Sequence, residues 1–140
     1  MIKVVVDTNV FVSAAIGKSY PMLVVDKVFE ANFELCISEN ALAEFERVLQ
    51  YPKFIKKKAF KEKSENLLHN IKIFGTFYYP QFSLSVLKDK SDNKFIELAV
   101  EAKADYLITG NHLDFNIQVF QNVKIVSPKK FWGLYEKNNL

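Results

Sequence analysis

The sequence predicts an α/β fold, a three-layer α/β/α arrangement with a central parallel sheet. Three observations predict it. Short apolar or β-branched runs recur along the chain, at 2–6, 33–37, 76–79, 105–110 and 123–126. Segments of helical periodicity separate them, and strands alternating with helices imply parallel pairing. The first run, Val4-Val5-Val6, is apolar on both faces, the pattern of a strand covered by helices on either side.

At 140 residues the chain is expected to form a single domain, 1–140, and its 49% hydrophobic content argues against disorder. Thirteen Phe and six Tyr suggest a core of large rings, while four Gly and four Pro leave little material for linkers. Apolar runs fall far short of the roughly 18 residues that span a bilayer. Asp7 interrupts the N-terminal apolar run too early for a secretory signal. Cys36 is the only cysteine, so an internal disulfide or a cysteine-rich zinc site is excluded, and a reducing cytoplasm is the expected location. The net charge of +3 permits a polyanionic partner without requiring one.

The elements follow in order. After the first strand, residues 10–16 begin a helical turn that Gly17 stops, and a second helix over 21–31 carries Pro21 in its first turn. The strand at 33–37 leads to Ser38, a natural N-cap, and then to a helix over 40–50. Ala41, Leu42, Phe45, Val48 and Leu49 form its apolar stripe, with Glu44 and Glu46 on opposite margins. Tyr51-Pro52 ends it. A basic stretch follows, in which Lys53, Lys56, Lys57, Lys58, Lys61 and Lys63 interleave with Phe54, Ile55 and Phe60. Ammonium groups neutralise phosphates and rings stack on bases, so this is a candidate nucleic-acid surface. The plainer reading is a solvated helical face whose rings point inward. A helix over 65–74, the strand at 76–79, a helix from Asp92, the strand at 105–110, the last strand and a C-terminal helix entered at Pro128 complete the chain.

Two carboxylates have positions that call for chemistry. Asp7 directly follows the buried first strand, and in open parallel sheets ligands bind beyond the carboxyl ends of the strands. The competing reading is a helix cap. Asp92 precedes Phe95, Ile96, Ala99 and Val100 by three, four, seven and eight residues, which puts it on the buried face of its helix. A buried charge is costly unless paired or bound to a metal. Glu44, Asn111 and Asp114 also come from strand ends or the helices after them. Clustered carboxylates are reconciled by a hard divalent cation such as Mg²⁺ or Mn²⁺, and such a site hydrolyses phosphodiesters with metal-activated water.

The chain resembles the PIN-domain family of ribonucleases, especially VapC-type toxins of toxin–antitoxin pairs. The resemblance rests on Val-Val-Val-Asp7-Thr8-Asn9, on Ile-Ser-Glu-Asn-Ala-Leu-Ala-Glu44-Phe-Glu-Arg-Val-Leu with Tyr-Pro-Lys-Phe after it, on Asp89-Lys-Ser-Asp92-Asn-Lys-Phe, and on Ala-Asp-Tyr-Leu-Ile-Thr109-Gly110-Asn111. It implies Mg²⁺- or Mn²⁺-dependent cleavage of RNA and an antitoxin protein as partner; a homodimer is also open. It implies that Asp7, Glu44 and Asp92 are catalytic and metal-binding, that Asn9 and Thr109 support them, and that Glu44 rather than Glu46 is the second acid. The departure is Asn111, where many members carry a fourth acid; Asp114 is the candidate that compensates, and a site with one metal, or with a weak second one, is expected. An alternative is a catalytically weak or inactive module of the same fold that binds RNA or a protein. Haloacid-dehalogenase-like phosphotransferases need a second Asp where Asn9 stands, and receiver domains an acidic pair that Thr8 breaks.

Overall fold

The computed structural model describes residues 1–30, 32–83, 92–110 and 118–140. The order of elements is β1 (Ile2–Val6), α1 (Thr8–Ile16), α2 (Ser19–Val28), β2 (Phe33–Ile37), α3 (Glu39–Val48), α4 (Pro52–Ile55), α5 (Lys58–Phe74), β3 (Thr76–Phe77), α6 (Asn93–Ala102), β4 (Tyr106–Ile108), β5 (Val119–Phe120), β6 (Val123–Val126) and α7 (Pro128–Glu136). Local chemistry sets several boundaries. Ser38 and Ser127 cap α3 and α7, their hydroxyls accepting from the N–H groups of Ala41 and Lys130. Gly17 closes α1 at φ 97°, a left-handed conformation that costs glycine little, and its N–H donates to the carbonyls of Ser13 and Ala14.

The described strands form one sheet in the order β3-β2-β1-β4-β6-β5. β1 pairs in parallel with β2 on one side and β4 on the other, so the order reverses at β1. The crevice of such a sheet opens beyond the carboxyl end of the strand where the order reverses. Asp7 is the first residue beyond it.

Register assigns the faces. Val4 stands opposite Leu35 and Tyr106, and Ile2 opposite Phe33, so these side chains share one face. Phe131 of α7 covers it, with ring centroids 5.9 Å from Phe33 and 5.4 Å from Tyr106. Lys3 and Glu34 lie on the other face, where the Lys3 Nζ donates to the carbonyl of Ala102 in α6 at 3.2 Å. Helices therefore cover both faces of the sheet, the layering expected from the sequence.

The central parallel sheet is the one expected, with one short addition: β5 runs antiparallel to β6 at one edge. The two are joined through Gln121 and Asn122 at φ 45° and 70°, a tight turn built without the usual glycine. The helix that continues from the basic stretch through 65–74 is found as expected, as the short α4 and the long α5. The helix expected over 21–31 spans Ser19–Val28, with Pro21 still in its first turn.

Phe131 is fully buried and bridges two strands from α7. Phe131→Ala is expected to lower the unfolding free energy by about 3–5 kcal/mol, measured by denaturant titration. A loss below about 1 kcal/mol would mean that α7 does not hold that face.

Candidate active site

Asp7 is 2% exposed and ends β1 in an extended conformation, where it also caps α1. One carboxylate oxygen accepts from the N–H of Val10 at 3.0 Å, and the other accepts from the hydroxyl of Thr109. Thr109 is itself buried, and its N–H donates to the carbonyl of Val126, so β4 and β6 fix the hydroxyl that meets Asp7. Burial lifts the Asp7 carboxyl from 3.8 to about 6. The bonds from Thr109 and Val10 oppose that rise, the nearby charge of Glu44 adds to it, and the backbone N–H of Asn9 opposes it. The Asn9 side chain is exposed, so its described contribution to Asp7 comes from the backbone.

Glu44 approaches from α3. Phe45 beside it is buried and stacks on Phe11 of α1, centroids 5.3 Å apart, which seats α3 over α1. One Glu44 oxygen accepts from the Thr8 hydroxyl, and the other accepts from Lys94 Nζ at 2.7 Å. Arg47 stands 3.9 Å away and is largely exposed. Glu46 is exposed on the far margin of the helix.

Asp92 is 9% exposed at the N-terminus of α6, on the buried side that its spacing predicted. It makes no side-chain cap bond to that helix, so simple capping does not account for it. Asn111 and Asp114 lie outside the described residues, as does Asp89. Among the described residues no three His, Cys, Asp or Glu side chains are grouped as a metal site. The carboxylates repel, and both oxygens of Asp7 and of Glu44 accept from donors within the protein. The chemistry of the donors still fits a hard cation: they are carboxylate and hydroxyl oxygens, the ligands of Mg²⁺ or Mn²⁺ rather than of softer metals.

Lys53, Lys56, Lys57 and Lys58 are exposed on α4 and around the start of α5. Phe54 and Phe60 turn inward and stack on each other, centroids 4.7 Å apart. This is the plainer of the two arrangements the sequence allowed: the cations remain outside, and the rings belong to the core. Gly110, the residue after Thr109, has nothing within 4 Å of its Cβ position among the described residues. Thr8 and Lys94 are the polar partners that the sequence reading missed. Both follow an acid by one or two residues, Asp7 and Asp92, and that proximity was the available signal.

The family model of the PIN domain matches residues 3–113. The chain belongs to the PIN domain family. An uncharacterized protein of Methanocaldococcus jannaschii, MJ1680, is 32% identical over 145 residues, covering 97% of this chain and 93% of that relative. In fold, this PIN domain is similar to a chain in the crystal structure of VapBC2 from Rickettsia felis bound to a DNA fragment from their promoter. The TM-score is 0.56 at 18% identity, with 90% of this chain and 98% of that chain covered.

The raised Asp7 carboxyl predicts a pH dependence. The group titrates near 3.8 in the unfolded chain and near 6 in the folded one, so the protonated form is favoured by folding. The contribution of Asp7 to stability is therefore fully present below about pH 4, falls as pH rises towards 6, and is then lower by about 3 kcal/mol. Asp7→Asn keeps an oxygen for Val10 but cannot ionise. Relative to wild type in EDTA, the variant should gain roughly 1–3 kcal/mol between pH 4.5 and pH 7, measured by denaturant unfolding at both pH values. A difference that does not change with pH would show that burial does not control this carboxyl.

Proposed function

We propose that this PIN domain is a Mg²⁺- or Mn²⁺-dependent endoribonuclease, acting in the cytoplasm as the toxin of a toxin–antitoxin pair, with RNA as substrate and an antitoxin protein as partner. The observation that carries the reading is the buried Asp7 carboxylate at the sheet's reversal point, with Glu44 beside it and an oxygen donor set around both. A charge so placed is costly on its own and becomes favourable beside a cation. Membership of the PIN family supports nuclease chemistry, and the likeness to a chain of VapBC2 supports the toxin–antitoxin context. No described helix is long and apolar enough to cross a membrane.

Asp7, Glu44 and Asp92 would hold the metal, with Asp114 as the further acid and Asn111 as a neutral polar group. When bound, a divalent ion supplies an activated water and stabilises charge on the attacking and leaving oxygens. The residues of the chain do the rest. Thr109 and the Val10 N–H orient the two oxygens of Asp7, and Thr8 orients Glu44. Asn9 supports Asp7 from the first turn of α1 through its backbone N–H. The exposed Lys53, Lys56, Lys57 and Lys58 hold the RNA backbone. A homodimer is the assembly proposed for the free toxin.

Incubation with a structured RNA tests this reading. Cleavage is expected with Mg²⁺ or Mn²⁺ and none in EDTA, and Asp7→Asn should reduce it on the order of 100-fold or more. RNA that is bound but never cleaved under either metal would replace the nuclease by a binding module of the same fold.

The basic stretch has its own test. Replacing Lys56, Lys57 and Lys58 together with Gln should weaken RNA binding and reduce its salt dependence by roughly 0.7 log units of slope for each lost single-strand contact. Unchanged affinity and slope in a filter-binding titration across salt would assign these lysines to a solvated face.

A further inference from the structure

Lys94 carries an inference that deepens the proposed reading and rests on its metal-binding step. It lies in the first turn of α6, two residues after Asp92, and its Nζ donates to Glu44 at 2.7 Å. A cation in the first turn of a helix opposes the helix dipole. Its side chain is nevertheless only 21% exposed, against a Glu44 side chain that is 12% exposed. Burial of an ammonium is tolerated where an anion faces it. Arg47, at 3.9 Å and 67% exposed, is screened by water and adds little. Lys94 is thus the cation that Glu44 has at hydrogen-bond distance from a neighbouring helix.

We propose that Lys94 is a built-in cation of the acidic site, a positioning residue that compensates Glu44 from within the protein, so that the site draws one divalent ion rather than two. Lys94 cancels one negative charge at the point where Glu44 faces Asp7, which leaves less charge there to draw a second cation. The Thr8 hydroxyl holds the other Glu44 oxygen, so the Glu44 carboxylate is oriented before any ion arrives. Glu44 then meets the ion with part of its charge already compensated, beside Asp7.

The test is a Mn²⁺ titration of the purified protein, followed by electron paramagnetic resonance of free Mn²⁺ and by calorimetry. Wild type is expected to bind one Mn²⁺ per chain. Lys94→Met should bind Mn²⁺ about tenfold tighter or take up a second ion, because a unit positive charge has left the site. Lys94→Arg, which restores the charge, should track wild type, and Arg47→Gln should stay within about twofold of it. Lys94→Gln keeps a donor to Glu44 without the charge and carries the same expectation if Lys94→Met does not fold. Two ions in wild type overturn the proposal, as does unchanged binding in the folded Lys94 variant or an equal effect from Arg47→Gln. The parent reading fails separately. If neither wild type nor the Lys94 variants bind Mn²⁺, both ideas fall. If wild type binds it, Asp7→Asn loses it and the Lys94 variants change nothing, only the role of Lys94 is lost.

Discussion

The carboxylate of Asp7 is the constraint on which the rest depends. It joins three parts of the fold: it ends β1, caps α1 through Val10, and meets β4 through Thr109. Capping alone does not require a charge there. Asn caps a helix about as well as Asp, and either is worth about 0.5–2 kcal/mol over Ala. The rise of the carboxyl to about 6 corresponds to about 3 kcal/mol lost at neutral pH. That rise stands after the bonds from Thr109 and Val10 have already lowered it, so the ionised carboxylate remains costly even while it caps the helix.

The supporting shell sits on regular elements. Thr109 extends β4, Thr8 opens α1, Glu44 sits mid-helix in α3, and Lys94 lies in the first turn of α6. The Phe11–Phe45 stack locks α1 to α3, so the distance between Asp7 and Glu44 is governed by core packing rather than by a loop. Side chains held this way reorient little, and that preorganisation suits chemistry that depends on where charge sits. Removal of a core ring under the site should for that reason be felt at the site as well as in stability.

Much of this was readable in the sequence because it depends on near neighbours. Val4 to Val6 marks a buried strand, Gly17 a helix end, and the spacing of Asp92 to Phe95, Ile96 and Ala99 its buried face. What was not readable depends on contacts far apart in the chain. The Glu44 bonds to Thr8 and Lys94 span 36 and 50 residues, and no periodicity reports them. Glu44 and Glu46 flank one stripe symmetrically, and only the neighbouring helices bury one of them. β5 escaped because a two-residue strand has no period to detect, and its turn uses Gln121 and Asn122 in place of the usual Asn-Gly.

The basic stretch shows how a pattern can be read two ways at once. Lysines and rings alternate there, but the fold separates them, with Phe54 and Phe60 stacked in the core and the ammonium groups outside. Base stacking contributes about 1–3 kcal/mol per base and tolerates any sequence, and those two rings do not supply it. If the lysines hold RNA as proposed, they do so through phosphates, which fix position and register but carry no base identity. Any choice among RNA sequences must then come from groups that reach base edges or from the shape of the RNA itself. On the proposed reading, strong salt dependence without sequence preference is the physical signature of the lysine stretch, and any discrimination between substrates would fall to groups around the carboxylates.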